Sequence, residues 1–254
     1  MKRFFLAAAV LVGFAAIDVA GAADMALKAA PLPAPVFSWT GWYAGLNVGG
    51  SFGKADDTTS YGAPPTLFSS TSSRLDGVIG GGQIGYNLQS GSWLFGLEAD
   101  IQGSSERSMA TTSAVVPAIG CILAPCGALG TLTDGEKLPW FGTARGRIGV
   151  VASPTWLFYV AGGLAFGEIK SNEAFTVGAA SITNAFDTTR AGWTLGGGVE
   201  ASLGSNWSAK LEYLYLDFGK FTDTYMGLGL VTPVTLSSHV TDNIVRVGLN
   251  YHFH

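Results

Sequence analysis

Apolar and polar residues alternate one by one through eight stretches of this chain, most clearly at 93–103. There Trp93, Phe95 and Leu97 share one face of an extended chain, while Glu98 lies on the other. Successive side chains of a β-strand point to opposite faces, so a period of two predicts strands, and no helical period competes with it. The alternation predicts strands at about 41–52, 76–88, 93–103, 139–151, 155–168, 191–203, 207–218 and 242–253.

The connections between these strands differ in length in a regular way. Tight turns at 89–92, 152–155 and 204–206 alternate with long polar connections, predicted as loops at 53–75, 104–138, 169–190 and 219–241. An even number of antiparallel strands with short turns at one end and long loops at the other is the layout of outer-membrane barrels. The chain is therefore predicted to be all-β, an eight-stranded antiparallel transmembrane up-and-down β-barrel.

Alternation alone does not say which face meets lipid, because a soluble lipocalin-like barrel also alternates, with its apolar face inward. The large aromatics favour a membrane, since tryptophans begin the odd strands beside the short turns and begin strands four and six at the opposite rim. Indole rings prefer the membrane–water interface. Two aromatic girdles are therefore expected, built on Trp42, Trp93, Trp140, Trp156, Trp193 and Trp207.

The face opposite these aromatics carries charges of both signs in equal number. It holds four acids and four bases, namely Glu98, Asp100, Arg145, Arg147, Glu200, Lys210, Glu212 and Arg246. An eight-stranded barrel is only wide enough for side chains to fill it, and charges enclosed there must pair. We hypothesise an ionic network that plugs the lumen. The alternative is a solvated outer face on which the balance of charge is coincidental.

The N-terminus predicts export. Lys2 and Arg3 precede the apolar stretch 4–17 and the small residues at 20–23, as in a secretory signal peptide over residues 1–23 cleaved after Ala22 or Ala23. Residues 24–40 are rich in Pro and Ala and are expected to be an extended periplasmic lead-in outside the core, before a barrel domain at 41–254.

The composition narrows the possible partners. Charged residues make up only 13% of the chain, and without the signal the net charge is −5, which argues against nucleic acid. Cys121 and Cys126 lie close together in an exported chain and predict a small disulfide loop. Two cysteines without a nearby histidine do not make a zinc site, so no metal is expected.

Several motifs resemble one known family. The final strand has Arg246, Gly248, Tyr251 and Phe253 in a pattern similar to the signal that the barrel-assembly machinery reads, although an ordinary amphipathic strand could share it. Together with the stretches 39–45 and 207–215, it resembles the alphaproteobacterial small outer-membrane β-barrel proteins of the 25/31-kilodalton group, called OmpA-like or "porin family". The resemblance implies a bacterial outer-membrane location, with roles in envelope integrity and host contact.

Candidate chemistry is sparse. His239, with Ser237, Ser238 and Asp242 nearby, forms no recognisable catalytic motif, so no enzyme activity, catalytic residue or cofactor is expected. The predicted long loops carry cations that lipopolysaccharide phosphates could bind, although these charges could equally be only solvated. The candidate contacts are Lys54, Lys137, Lys170, Arg190 and Lys220, with Arg74 and Arg107 beside them.

The function expected from these features is that of a structural outer-membrane barrel that supports envelope integrity and surface contact. Its partners would be outer-membrane lipids, lipopolysaccharide and, during insertion, the assembly machinery. One alternative is a narrow, porin-like diffusion channel or a haem-binding adhesion protein of the same fold. Another is a secreted soluble barrel that binds a small hydrophobic ligand.

Overall fold

Eight antiparallel strands close into a barrel. The computed structural model describes residues 37–61, 66–115, 129–177, 180–226 and 233–253. Each strand pairs with the next in the chain, and β1 pairs with β8 to close the ring, as the sequence predicted. The strands are β1 Gly41–Tyr61, β2 Thr66–Ser90, β3 Trp93–Val115, β4 Leu129–Ser153, β5 Trp156–Val177, β6 Ala180–Gly204, β7 Trp207–Met226 and β8 Pro233–Phe253.

The strands are longer than the hydrophobic alternation predicted. Each has 20 to 25 residues, so most of the stretches predicted as long loops are strand within the described residues. The sequence-based prediction was wrong there because it followed apolar residues. A strand that leaves the membrane keeps its backbone hydrogen bonds but carries polar residues on its outer face.

The short turns lie where they were predicted and define the inner end of the barrel. Gly91 and Ser205 have φ of 60° and 51°, the left-handed conformation that tight hairpin turns require. Glycine adopts this conformation at no steric cost, whereas serine adopts it less readily. The opposite end, towards the predicted long loops, is called the outer end.

A belt of exposed apolar side chains surrounds the barrel. It runs on β3 from Trp93 to Ile101, with Leu97 between them 71% exposed, and similar stretches lie on the other strands. The inward-facing positions of the same strands are buried and largely polar. The apolar face of the strands therefore points away from the barrel axis.

The described residues contain no helix that is long and apolar enough to cross a membrane.

The lumen is filled in layers along its axis. At the inner end Trp39, Leu94, Leu157 and Tyr159 pack together. The charged residues of the middle lumen follow. Towards the outer end comes an apolar layer formed by Ala55, Leu75, Ile79, Leu138, Phe141, Ala165, Ile169, Leu214, Leu216, Phe218, Val240 and Ile244.

Trp39 corrects the predicted extent of the lead-in. It was assigned to the segment 24–40 outside the core, yet it is fully buried and meets the ring of Phe37 at 4.8 Å. Only residues 37–40 of that segment are described. A tryptophan just before the first strand buries a large apolar area by entering the inner end of the lumen, which explains its place in the core.

Two strand irregularities change which residues face outward at the outer end. On β4 the register shifts between Lys137 and Trp140, around Pro139. On β7 it shifts between Asp217 and Lys220, where Gly219 has φ of 72°. Proline is tolerated in a sheet mainly at edges and bulges, and a bulge adds a residue that interrupts the alternation.

Candidate functional site

Arg145 is the centre of the ionic network in the middle of the lumen. Its guanidinium contacts the carboxylate of Glu98, lies 2.9 Å from Asp100 Oδ2 and donates to Glu212 Oε1 at 3.1 Å. β3 supplies two of these acids and β7 the third, so one side chain from β4 connects opposite walls of the barrel. All four side chains are almost completely buried.

The other three cations close the network from different strands. Lys210 Nζ lies 2.9 and 3.0 Å from the two oxygens of Glu98. Arg246 Nε donates to Glu212 Oε2 at 2.7 Å, and Arg147 Nη1 donates to Glu200 Oε2 at 3.2 Å. The structure thus brings together all eight residues that the charge pattern selected.

Neutral groups occupy positions around these ions. Tyr43 Oη donates to Glu98 Oε2 at 2.6 Å, and Tyr159 Oη donates to Glu212 Oε1 at 2.9 Å. The guanidinium of Arg147 lies 4.6 Å from the centre of the Tyr43 ring, where a cation–π interaction is favourable. Asn250 Nδ2 donates to Glu200 Oε1 at 2.7 Å. These tyrosines and amides were not selected from the sequence, because their partners lie on strands far away in the chain.

The apolar layer separates the ionic network from the outer end. Phe141 is four residues beyond Arg145 on β4, and Leu214 is two residues beyond Glu212 on β7. Both are fully buried, as are Ile79 and the other large members of the layer. Water and ions enter an apolar constriction only at high cost, so the layer hinders access from the outer solvent, although the buried acids Glu106 and Asp242 lie among its members.

The inner end of the network is covered by aromatic rings and a histidine. His252 stacks on Tyr43 with ring centres 5.5 Å apart and meets Trp39 edge-on at 5.8 Å. Its Nε2 lies 2.9 Å from Ser208 Oγ, and that hydroxyl donates to Glu200 Oε1 at 2.5 Å. Although serine, histidine and glutamate meet here, the site is fully buried, so we interpret it as packing that anchors the C-terminal strand.

Buried acids form a further group beyond the outer edge of the apolar belt. Glu106 lies five residues past Ile101, accepts from Ser104 Oγ at 2.9 Å and is almost completely buried. Burial, together with the neighbouring charge of Asp242, raises its pKa to about 8. Asp57 and Glu136 are also buried near this end. The sequence-based reading missed Glu106 and Glu136 because it placed them in a loop.

The loose group around His239 does not assemble into a catalytic site. His239 Nε2 lies 3.0 Å from Asp217 Oδ1, Ser238 donates to Glu136 at 3.3 Å, and Ser51 donates to Asp242 at 2.6 Å. Each group is thus occupied by a different partner. In the part of the chain that the structure describes, no group of three or more His, Cys, Asp or Glu side chains could hold a metal ion.

The selected aromatics lie on the outer face at both rims. Trp42, Trp93, Trp156 and Trp207 are exposed beside the inner end. At the outer rim, Trp193 is exposed, and Trp140 packs on Phe166 and donates to Glu168 Oε2 at 3.0 Å.

The four residues of the assembly-signal pattern lie on both faces of β8. Tyr251 and Phe253 point outward, and Tyr251 meets Trp207 at 5.1 Å. Arg246 belongs to the ionic network. At Gly248 any larger side chain would press on Lys210 and Gln83, so glycine there gives Lys210 room to reach Glu98.

The five selected cations have different surroundings at the outer end. Lys54 pairs with Asp56 at 2.8 Å, and the guanidinium of Arg190 lies 4.6 Å from the centre of the Phe221 ring. Lys137 and Lys220 are exposed, while Lys170 lies 3.3 Å from both Glu168 and Asp187.

Cys121, Cys126 and residues 1–36 lie outside the described residues, so the disulfide and signal predictions remain predictions.

Comparison with known proteins adds relatives that share both the sequence and the barrel. Residues 14–253 match the family described as outer membrane protein beta-barrel domain. The 31 kDa outer-membrane immunogenic protein of Brucella melitensis is 39% identical over 268 residues and covers both chains completely. The 22 kDa outer membrane protein of Rhizobium leguminosarum bv. viciae is 29% identical, over 86% of this chain and 80% of its own.

A solved structure shares the fold. The outer membrane protease OmpT of Escherichia coli superposes with a TM-score of 0.54 at 12% identity, over 87% of this chain and 99% of its own. Identity this low supports the fold alone. The exposed apolar belt, the closed ring and the relatives place the protein in the bacterial outer membrane. The chain belongs to the outer membrane protein β-barrel family, as its resemblance to the 25/31-kilodalton group predicted.

Proposed function

We propose that this protein is a structural, non-conducting and non-catalytic component of the outer membrane, which supports envelope integrity and presents its outer end at the cell surface. The observation that carries the proposal is the filled lumen. In the described part of the chain, buried aromatic, ionic and apolar layers succeed one another along the axis. A stable closed barrel of this kind adds a rigid element to the membrane.

A narrow channel is the main alternative, and the apolar layer argues against it. An ion would have to pass Phe141, Leu216 and their neighbours and then separate the paired charges around Arg145. Desolvating an ion in such a constriction is expensive. Non-catalytic function is supported by the separate partners of His239, Ser238 and Asp242.

Single-channel recording tests the sealed lumen. Purified, folded protein in planar bilayers is expected to give no steady conductance under conditions where a general porin conducts. Steady ion flux comparable to that of the porin would contradict the proposal. Detergent sensitivity of cells that lack the protein, with and without complementation, tests the envelope role separately. Unchanged sensitivity would remove that part of the proposal.

Surface presentation is supported by the printed names of the Brucella relatives, which are called immunogenic. Met109, 81% exposed above the apolar belt on β3, is a suitable probe. Met109→Cys is expected to react with a membrane-impermeant maleimide on intact cells. Thr155→Cys, at an inner turn, is the matched control and should react only after the outer membrane is opened. The reverse pattern would invert the proposed orientation.

A further inference from the structure

Three neighbouring strands carry cations in register on the outer surface. Arg107 of β3 is directly opposite Lys137 of β4, and Lys137 is directly opposite Lys170 of β5. All three side chains have solvent access. We call Arg107, Lys137 and Lys170 the basic patch. Strands are about 4.8 Å apart, so the patch spans about 10 Å around the barrel.

The bulge around Pro139 creates this patch. Along β4 the buried residues Arg145, Thr143 and Phe141 follow the regular alternation, which would also turn position 137 into the lumen. The register shift at Pro139 places Leu138 in the lumen instead, so Lys137 becomes exposed. A local backbone feature therefore directs this lysine to the side where its two neighbouring strands carry cations.

Like charges directly opposite each other destabilise a sheet. Among the described residues, Arg107 and Lys137 form no ion pair, whereas Lys170 lies 3.3 Å from Glu168 and from Asp187. An anion between the two unpaired cations would relieve their repulsion. A phosphate suits the position, because its oxygens can accept hydrogen bonds from a guanidinium and an ammonium together.

The height of the patch matches the lipid headgroups. Trp140 and Phe166 belong to the outer aromatic rim, and their rings meet at 6.4 Å. Lys137 is three residues beyond Trp140 along β4. At about 3.3 Å per residue and a strand tilt of about 35–45°, the lysine lies about 7–8 Å above the rim, where headgroups sit.

We propose that the basic patch binds a phosphate group of a lipopolysaccharide molecule in the outer leaflet and attaches that lipid to the β3–β5 face of the barrel. The inference rests on the proposed structural role in the envelope and names a lipid partner for it. Asp76, opposite Arg107, and Asp187, beside Lys170, limit the patch on either side.

The remaining outer cations lack this arrangement. Lys54 of β1 is directly opposite Arg74 of β2, but this pair spans only two strands and Lys54 has Asp56 as its partner. Arg190 packs against the ring of Phe221. Lys220 is exposed through the Gly219 bulge, but it is opposite His239, which is itself held by Asp217. The patch therefore includes two of the five cations selected from the sequence, together with Arg107.

Binding of purified, folded protein to lipopolysaccharide in detergent micelles with EDTA tests the proposal. The double variant Arg107→Gln/Lys137→Gln is expected to weaken binding at least tenfold. Lys137→Arg should keep it within about twofold, because the charge and donors remain. Lys220→Gln is the matched control, since it removes one exposed lysine at the outer end without altering the patch, and should change binding less than twofold. Heat-modifiable mobility on gels shows that each variant folds.

Other probes identify the ligand. Lipopolysaccharide stripped of its phosphates should bind wild-type protein as weakly as intact lipopolysaccharide binds the double variant. Equal binding of intact lipopolysaccharide by wild-type and double-variant protein would overturn the proposal. So would patch-dependent binding of tripolyphosphate or phosphatidylglycerol micelles as tight as that of lipopolysaccharide. These outcomes concern a lipid site only and leave the tests of conductance and detergent sensitivity unaffected.

Discussion

The ionic network and the apolar layer fill adjacent levels of the same lumen with opposite chemistry. Around Arg145, nearly every buried side chain is charged or hydrogen-bonded to a charge. A few residues along β4, around Phe141, most of the buried side chains are apolar. The stability of the ionic network depends on specific partners from several strands. The stability of the apolar layer depends on the volume and shape of its side chains.

This difference shows how a narrow barrel excludes water in two ways. A buried ion pair is weak evidence for stability, because desolvation offsets much of the Coulomb attraction, but removing one partner is strongly destabilising. An apolar layer loses stability in proportion to the cavity that a truncation leaves. The two levels should therefore respond differently to substitutions of similar size.

Replacement of Arg145 by Met should have the largest effect. Glu98, Asp100 and Glu212 would lose one of the two arginines that contact all three, and the free energy of unfolding should fall by about 3–5 kcal/mol. Urea unfolding in detergent and heat-resistant mobility on gels measure the change. Arg74→Met, at an exposed position, is the control and should change little. Wild-type stability in Arg145→Met would contradict a network that depends on specific partners.

Truncation of Phe141 to Ala should come next, at about 3 kcal/mol, because it opens a cavity in the apolar layer. Phe141→Leu keeps more of the volume and should cost less than about 1.5 kcal/mol. Urea unfolding of the two variants side by side checks the prediction. Equal losses would show that shape does not govern this level of the lumen.

Leu97→Arg tests whether the outer face of the strands, opposite the face that lines the lumen, is in contact with lipid. A cation at mid-belt must leave water for lipid, and we expect a loss of about 2–3 kcal/mol. Met109→Arg, above the belt, should be nearly neutral. Folding yield into lipid vesicles and urea unfolding give the comparison. If Leu97→Arg were as stable as Met109→Arg, Leu97 would not face lipid.

The last effect concerns Glu106 and Asp242, two buried acids that are paired in register with Leu138 and Leu216 of the apolar layer. The pKa of Glu106 is raised from 4.5 to about 8, so the folded barrel favours the neutral acid. Its contribution to stability is complete below pH 4.5 and is lost as the pH rises through 8. Between pH 5 and pH 9 we therefore expect the free energy of unfolding of wild-type protein to fall.

Glu106→Gln should remove this part of the pH dependence, measured by urea unfolding at both pH values. Asp187→Asn is the control, since Asp187 is an exposed acid on β6 that pairs with Lys170 and should leave the slope unchanged. An unaltered slope in Glu106→Gln would assign the pH dependence to other groups. Asp242 is the first such group, because its charge acts on Glu106.

The barrel and the membership of its ionic network could be predicted because both follow from a period of two. Once Trp93 and Phe95 are assigned to the lipid face, Glu98 and Asp100 must point into the lumen, and the same rule places Arg145. The bounds of the strands could not be predicted, since polar residues on both faces above the membrane remove the hydrophobic signal.

The bulge at Pro139 shows where alternation fails. The register shift reverses the directions in which the side chains of Leu138 and Lys137 point, and the pattern of hydrophobic residues alone does not reveal this shift. The proline was a signal that could have been used, because proline in a paired strand indicates an edge or a bulge. Trp39 was missed for a related reason, since it lies before the first alternating strand.

The sequence by itself determined that eight strands alternate, which face meets lipid and which eight charges enter the lumen, because side-chain direction on a strand is a local property. Tertiary structure alone decided that Arg145 pairs with Glu98, Asp100 and Glu212, and that the cations of three strands come into register. Those contacts depend on barrel closure and strand register, which join residues far apart in the chain and which no local pattern records.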